Sequence, residues 1–149
     1  MPKKVVIDAS LIIDLYAAPN EARALLAEEV TSWVMKSLVE AYAPKLLIVE
    51  VIGVLSRYLS DEEVDLVLNY FPPIKLIPEE VIYEEAIRIA RKTGSRAADA
   101  YYIAVASIIN GVLLTNDIKQ VRNSRKANIE AYYIVEEMEK AKRSILPPV

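Results

Sequence analysis

The sequence predicts one α/β domain, a parallel sheet with helices on both faces, and three observations carry that reading. Strand-like and helix-like segments alternate along the chain, the pattern of parallel strands joined by helical crossovers. A length of 149 residues suits a single domain spanning 1–149. The composition, 54% hydrophobic and 26% charged with 3 Gly, belongs to a compact folded chain and lies far from the signature of disorder.

In order, a β-branched run over Lys4 to Asp8 reads as the first strand. Strong helix formers fill Asn20 to Val30 after Pro19, and Pro44 to Tyr58 is a long, almost uniformly apolar helix candidate. Asp61 to Phe71 follows with a capping box, Ser60 reaching forward and Glu63 reaching back. Ile74 to Ile77 is a short strand between prolines. Glu79 to Thr93 has the helical period and stops at Gly94, a residue suited to a left-handed helix end. Ser95 is placed to cap the next helix, which runs to about Ile109. Asn110-Gly111 then turns into the strand Val112 to Thr115. Lys119 to Lys126 reads as a short polar helix, Ile129 to Ile134 as the last strand and Val135 to Ser144 as a terminal helix.

The chain has no Cys and no His. Thiol nucleophiles, a histidine general base, a Ser-His-Asp triad and the usual Cys/His zinc site are therefore excluded. Any resident metal must be held by oxygen, which points to Mg²⁺ or Mn²⁺. The apolar stretch after Met1-Pro2-Lys3-Lys4 is too short for a signal-peptide core, and Glu50, Asp99 and Asn110 interrupt the most apolar windows. A cytoplasmic protein with no membrane span is expected.

In a parallel sheet, ligands bind beyond the carboxyl ends of the strands. Asp8 ends the first strand and Asp117 follows Leu113-Leu114-Thr115, so both fall on that edge, and they face each other if the two strands are neighbours. Glu50 stands among Leu46, Leu47, Gly53 and Val54 with no cation within helical reach. A carboxylate buried without a partner destabilises a fold by several kcal/mol or takes up a proton, so Glu50 needs a tertiary partner. Asp99 is similarly flanked by Ala97, Ala98 and Ala100. Each acid also has a plainer reading: Asp8 or Ser10 and Asp117 as helix caps, Asp99 as a first-turn charge welcomed by the helix dipole. Four such acids in a chain lacking other catalytic side chains fit an oxygen-ligand metal site better than four separate accidents.

Val6-Ile7-Asp8-Ala9-Ser10, Pro44-Lys45-Leu46-Leu47-Ile48-Val49-Glu50, Ala98-Asp99-Ala100-Tyr101-Tyr102-Ile103-Ala104 and Leu114-Thr115-Asn116-Asp117 resemble, in order and spacing, the four signature segments of the PIN domain. The likeness covers essentially the whole chain and is nearest to VapC, the ribonuclease of VapBC toxin–antitoxin pairs. It implies a sheet of order 3-2-1-4-5, an acidic quartet of Asp8, Glu50, Asp99 and Asp117 holding Mg²⁺ or Mn²⁺, and endoribonuclease activity by water attack on phosphorus. Ser10 and Thr115 stand at the family's hydroxyl positions and would orient carboxylates or a water. The resemblance also implies a homodimer and a VapB-type antitoxin that blocks the acidic pocket.

A net charge of −3 is unusual for a nucleic-acid binder, but a catalytic acid cluster counted without its metal distorts that balance. Arg96 and the group Lys119, Arg122, Arg125 and Lys126 are candidate RNA-phosphate contacts, against the plain reading of a solvated basic face. Lys140, Lys142 and Arg143 read as mere surface, and Asp14 has no assignable role. Trp33, Tyr42, Tyr58, Tyr70 and Phe71 are either core or a dimer or antitoxin surface. Two alternatives stand beside the ribonuclease: a PIN domain that binds RNA or scaffolds an assembly without turnover, and a haloacid-dehalogenase-like phosphatase. The phosphatase is disfavoured because Ser10 occupies the place of that family's second Asp.

Overall fold

The computed structural model describes residues 1–148. The five strands are β1 (Lys3–Ile7), β2 (Val39–Pro44), β3 (Lys75–Ile77), β4 (Val112–Thr115) and β5 (Ala131–Tyr133). They form one sheet of order β3-β2-β1-β4-β5, every adjacent pair parallel. Eight helices connect and cover them: α1 (Ala9–Ala17), α2 (Glu21–Met35), α3 (Leu47–Leu55), α4 (Asp61–Asn69), α5 (Glu79–Thr93), α6 (Ala97–Ile109), α7 (Ile118–Lys126) and α8 (Ile134–Ile145). The α/β class and the strand order implied by the resemblance are both observed.

The central strands are apolar on both faces, as a doubly covered sheet requires. Val5, Val6, Leu113 and Leu114 are fully buried, and with Val105 and Ile103 of α6 and Leu47, Val51 and Leu55 of α3 they form the core. Gly111 permits the tight entry into β4, since a Cβ there would lie 2.8 Å from the Lys4 carbonyl oxygen of β1. The capping box of Ser60 and Glu63 is present, and Gly94 ends α5 in the left-handed region with φ 69°.

Two local expectations are corrected. The helix read over Pro44 to Tyr58 begins only at Leu47, because Pro44 is the last residue of β2, opposite Ile77 of β3. Strand β2 itself goes unannounced in the sequence: its inward residues are Val39, Ala41 and Ala43, and alanine carries little strand preference. Ser95 does not cap α6; Arg96 takes the cap position without a side-chain bond, while the Ser95 hydroxyl accepts from Thr93 Oγ1 at 2.8 Å. Among the described residues, no helix is long and apolar enough to cross a membrane.

Candidate active site

Strands β1 and β4 are neighbours, and the Asp8 N–H donates to the Leu114 carbonyl at 3.0 Å. This register sets Asp8 and the Thr115-Asn116-Asp117 segment side by side at the carboxyl edge of the sheet. Asp8 is 6% exposed, and its Oδ2 accepts from the Ser10 hydroxyl at 2.7 Å, the Ser10 N–H at 3.2 Å and the Thr115 hydroxyl at 3.0 Å. The two hydroxyls also accept: Ser10 Oγ from the Asn116 N–H and Thr115 Oγ1 from the Asp117 N–H, both at 2.9 Å. Each hydroxyl therefore spends its proton on Asp8 and its lone pair on the turn that carries Asp117, locking the two strand ends together. Ser10 and Thr115 thus both donate to the same carboxylate oxygen of Asp8.

The capping and clustering readings of the strand-end acids turn out to be compatible. Asp8 is the N-cap of α1, and Asp117 is the N-cap of α7, accepting from the Lys119 N–H at 2.9 Å. Asp99 occupies the first turn of α6, and Glu50 the first turn of α3. Four acids from four separate elements thus share one edge.

Burial, and after it the charge of neighbouring acids, shifts the carboxyls of Asp8, Asp99 and Glu50 upwards. Burial raises the Asp8 carboxyl above its ordinary value and the charge of Asp117 adds to this, against the Ser10 and Thr115 hydrogen bonds. Burial pushes Asp99 up to about 6, with Asp8 and Asp117 adding to the shift and Arg96 and Lys119 opposing it. Glu50 is raised by burial, with the charges of Asp8 and Asp99 pushing the same way. The Tyr102 hydroxyl is close enough to steady the Glu50 carboxylate, yet neither it nor the buried Glu50 Oε1 closes a hydrogen bond of good geometry. Burial first, then the charges of Asp8 and Glu50, hold Tyr102 far above the usual phenol range, so it stays a protonated donor.

Among the described residues, no three acidic side chains are closed around one point as a finished metal cage. The donor set nevertheless suits a hard divalent cation: the acids supply oxygen only, and the orphaned Glu50 Oε1 is a buried carboxylate oxygen in need of a positive partner.

Of the basic residues singled out, Arg96 and Lys119 act on Asp99 through their charges and are exposed. Arg122 is exposed on α7, and among the described residues no hydrogen bond or ion pair joins it to the acids. Arg125 faces elsewhere: its guanidinium donates to the Ala131 carbonyl at 3.0 Å and to Glu137 Oε1 at 2.9 Å, tying α7 to β5 and α8. It is removed from the phosphate contacts. Lys142 is more than bare surface, since it pairs with Glu29 of α2 at 2.7 Å.

Three polar residues at the site escape the sequence reading. Tyr102 lies beside Glu50, Gln120 Nε2 donates to the Asp99 carbonyl at 3.3 Å, and Asn116 is buried with its N–H on Ser10. A signal existed for two of them: Tyr102 is three residues beyond Asp99 and Gln120 three beyond Asp117, so each shares its acid's helical face.

A doubly wound parallel sheet with an acidic cluster at its carboxyl edge defines the class of this protein. The chain belongs to the PIN domain family, whose sequence model matches residues 5–126. Its fold is similar to a toxin–antitoxin complex from Klebsiella pneumoniae, at 16% identity over 78% of this chain and 89% of that one, TM-score 0.59. It is also similar to FitAcB from Neisseria gonorrhoeae, at 19% identity over 89% and 99% of the two chains, TM-score 0.61. PAE2754 from Pyrobaculum aerophilum shares 21% identity over 97% and 98%, TM-score 0.60. No curated relative matches the sequence.

Proposed function

We propose that this chain is a divalent-metal-dependent endoribonuclease of the VapC type, the toxin of a toxin–antitoxin pair. The observation that carries the reading is the convergence of Asp8, Glu50, Asp99 and Asp117 from four elements onto one sheet edge, with Glu50 Oε1 buried and unpaired. Membership of the PIN domain family and the folds shared with the Klebsiella complex and FitAcB support it.

In this reading the four carboxylates hold Mg²⁺ or Mn²⁺, which when bound lowers the pKa of water and neutralises charge on the phosphate. The protein's own part is to position oxygen. Ser10 and Thr115 fix Oδ2 of Asp8, which leaves Oδ1 uncommitted among the described residues. The protonated Tyr102 hydroxyl lies beside Glu50 as an available donor. Arg96 and Lys119, whose charges already reach Asp99, meet the phosphate backbone approaching the cluster. Water attack leaves a 5′-phosphate and a 3′-hydroxyl.

A VapB-type antitoxin and a second copy of the chain complete the proposed assembly, the antitoxin blocking the acidic edge until it is removed. Exposed Tyr58, Leu66, Leu68 and Tyr70 on and around α4, and Val81, Tyr83 and Ile87 on α5, supply apolar surface for such contacts. Trp33, by contrast, is core at 4% exposure.

Incubation of purified protein with RNA tests the activity. Cleavage is expected with Mg²⁺ or Mn²⁺ and not in EDTA, and Asp99→Asn should lower the rate by orders of magnitude with the fold intact. Undiminished cleavage by wild type in excess EDTA, once contaminating nuclease is excluded, refutes the metal requirement; binding of RNA without turnover refutes the enzyme.

A further inference from the structure

Asp14 is the most buried charge outside the quartet, 3% exposed, and the chemistry above makes no use of it. Three donors converge on its Oδ2: Arg23 Nε at 2.8 Å, Arg23 Nη2 at 2.7 Å and Asn116 Nδ2 at 2.7 Å. Arg23 is on α2 and Asp14 on α1, whereas Asn116 stands between Thr115 and Asp117 beyond β4. Asp14 is desolvated whereas the Arg23 side chain stays 29% exposed, so solvent weakens the attraction that must offset the burial of the carboxylate, and the pair is a poor stabiliser. Its orientation of a third group is the better explanation.

That third group is at the hinge of the site. A carboxylate accepts only, so it fixes which end of the Asn116 amide faces it, even though Asn116 Oδ1 is thereby left buried and unpaired. With its side chain held, Asn116 gives its N–H to Ser10 Oγ, which donates to Asp8 Oδ2; the next N–H, of Asp117, goes to Thr115 Oγ1, which donates to the same oxygen. A continuous run of hydrogen bonds joins Arg23 to Asp8 and Asp117.

We propose that Asp14, clamped by Arg23, is a positioning residue for the acidic site: by holding Asn116 it sets the turn that presents Asp117 and aligns Ser10 and Thr115 on Asp8. The proposal rests on the metal-site reading only for its consequence, tighter cation binding. Partners behind metal ligands commonly change affinity by about 10–100-fold.

The test reads backbone amide exchange in the metal-free protein and, separately, Mn²⁺ affinity by calorimetry. Asp14→Leu combined with Arg23→Leu removes the pair without stranding a charge; Asp14→Asn serves if that variant fails to fold and should retain part of the effect, because its amide oxygen still accepts. Glu29→Gln, which breaks the remote pair with Lys142, is the control and should change neither readout. Expected are a loss of protection of about tenfold or more at the Asn116 and Asp117 amides, with Val5, Val6 and Leu113 unchanged, and Mn²⁺ binding weaker by about 10–100-fold. A uniform loss across the sheet, or no selective loss at the two amides, overturns the proposal and makes the pair a fold element. Selective loosening with Mn²⁺ affinity within twofold of wild type overturns the link to the site. If wild type binds no Mn²⁺, the metal reading fails and the exchange data alone decide the positioning role.

Discussion

Replacing Asp99 with Asn in metal-free protein should raise its melting temperature, an outcome opposite to that for an ordinary structural acid. Burial first, then the charges of Asp8 and Asp117, push Asp99 to about 6 from an ordinary 3.8. At about 1.36 kcal/mol per pKa unit, the ionised group opposes folding by at most about 3 kcal/mol at neutral pH. Asp99 is only partly buried, so solvent screening roughly halves this, and the helix dipole that favours a first-turn charge returns about 0.5 kcal/mol. About 1 kcal/mol remains, or about 2–4 °C for a domain of this size. The sign across pH follows from linkage: with the folded pKa raised, folded wild type carries extra proton between pH 3.8 and about 6, so its stability relative to the variant falls as pH rises through that window. Melts in EDTA should therefore converge near pH 4 and separate fully by pH 7.5. A variant that melts below wild type at pH 7.5, with a gap unchanged at pH 4, refutes the electrostatic account.

Glu85 makes the reverse case. Its hydrogen bonds from Arg88, against the pull of burial and with help from Ser107 of α6, hold it down to about 2. A depressed carboxyl contributes stability above its unfolded value near 4.5 and loses it as pH falls towards 2. Glu85→Gln should destabilise by about 1 kcal/mol at pH 7, less at high salt because Arg88 is largely exposed, and in denaturant titrations the gap should narrow below about pH 4.5 and close only as pH reaches about 2. Gly111→Ala should destabilise by about 1–3 kcal/mol in the same assay, since its Cβ meets the Lys4 carbonyl oxygen at 2.8 Å; a neutral result would mean that β1 and β4 separate freely at that end. Arg96→Ala and Lys119→Ala should each weaken RNA binding and reduce the salt slope by about one, whereas Arg125→Ala should leave that slope unchanged.

The sequence made the ends of β1 and β4 legible because short apolar runs stop at Asp8 and just before Asp117, and made Glu50 and Asp99 conspicuous through their apolar and small neighbours. It could not show that β1 and β4 pair, a fact of topology supplied by the family resemblance. Strand β2 was hidden because Ala41 and Ala43 lack strand character and Pro44 merged with the apolar run of α3. The network of Asp14, Arg23 and Asn116 was hidden for a different reason: Asp14 and Asn116 are 102 residues apart, and no local period relates them. Arg125 misled because closeness to Asp117 in the sequence does not say which tertiary acid, here Glu137, captures its charge.

The central claim, that Asp8, Glu50, Asp99 and Asp117 form one cation site, is tested most directly by melting wild type and the four single Ala variants with and without Mg²⁺ or Mn²⁺. A ligand that binds only the folded protein stabilises it by about 2.7 kcal/mol at one hundred times its dissociation constant. Wild type should therefore gain several degrees with the cation, and each Ala variant distinctly less. If all four variants melt well below wild type in EDTA and the cation shifts none of the five proteins, the quartet is structural and the account is wrong.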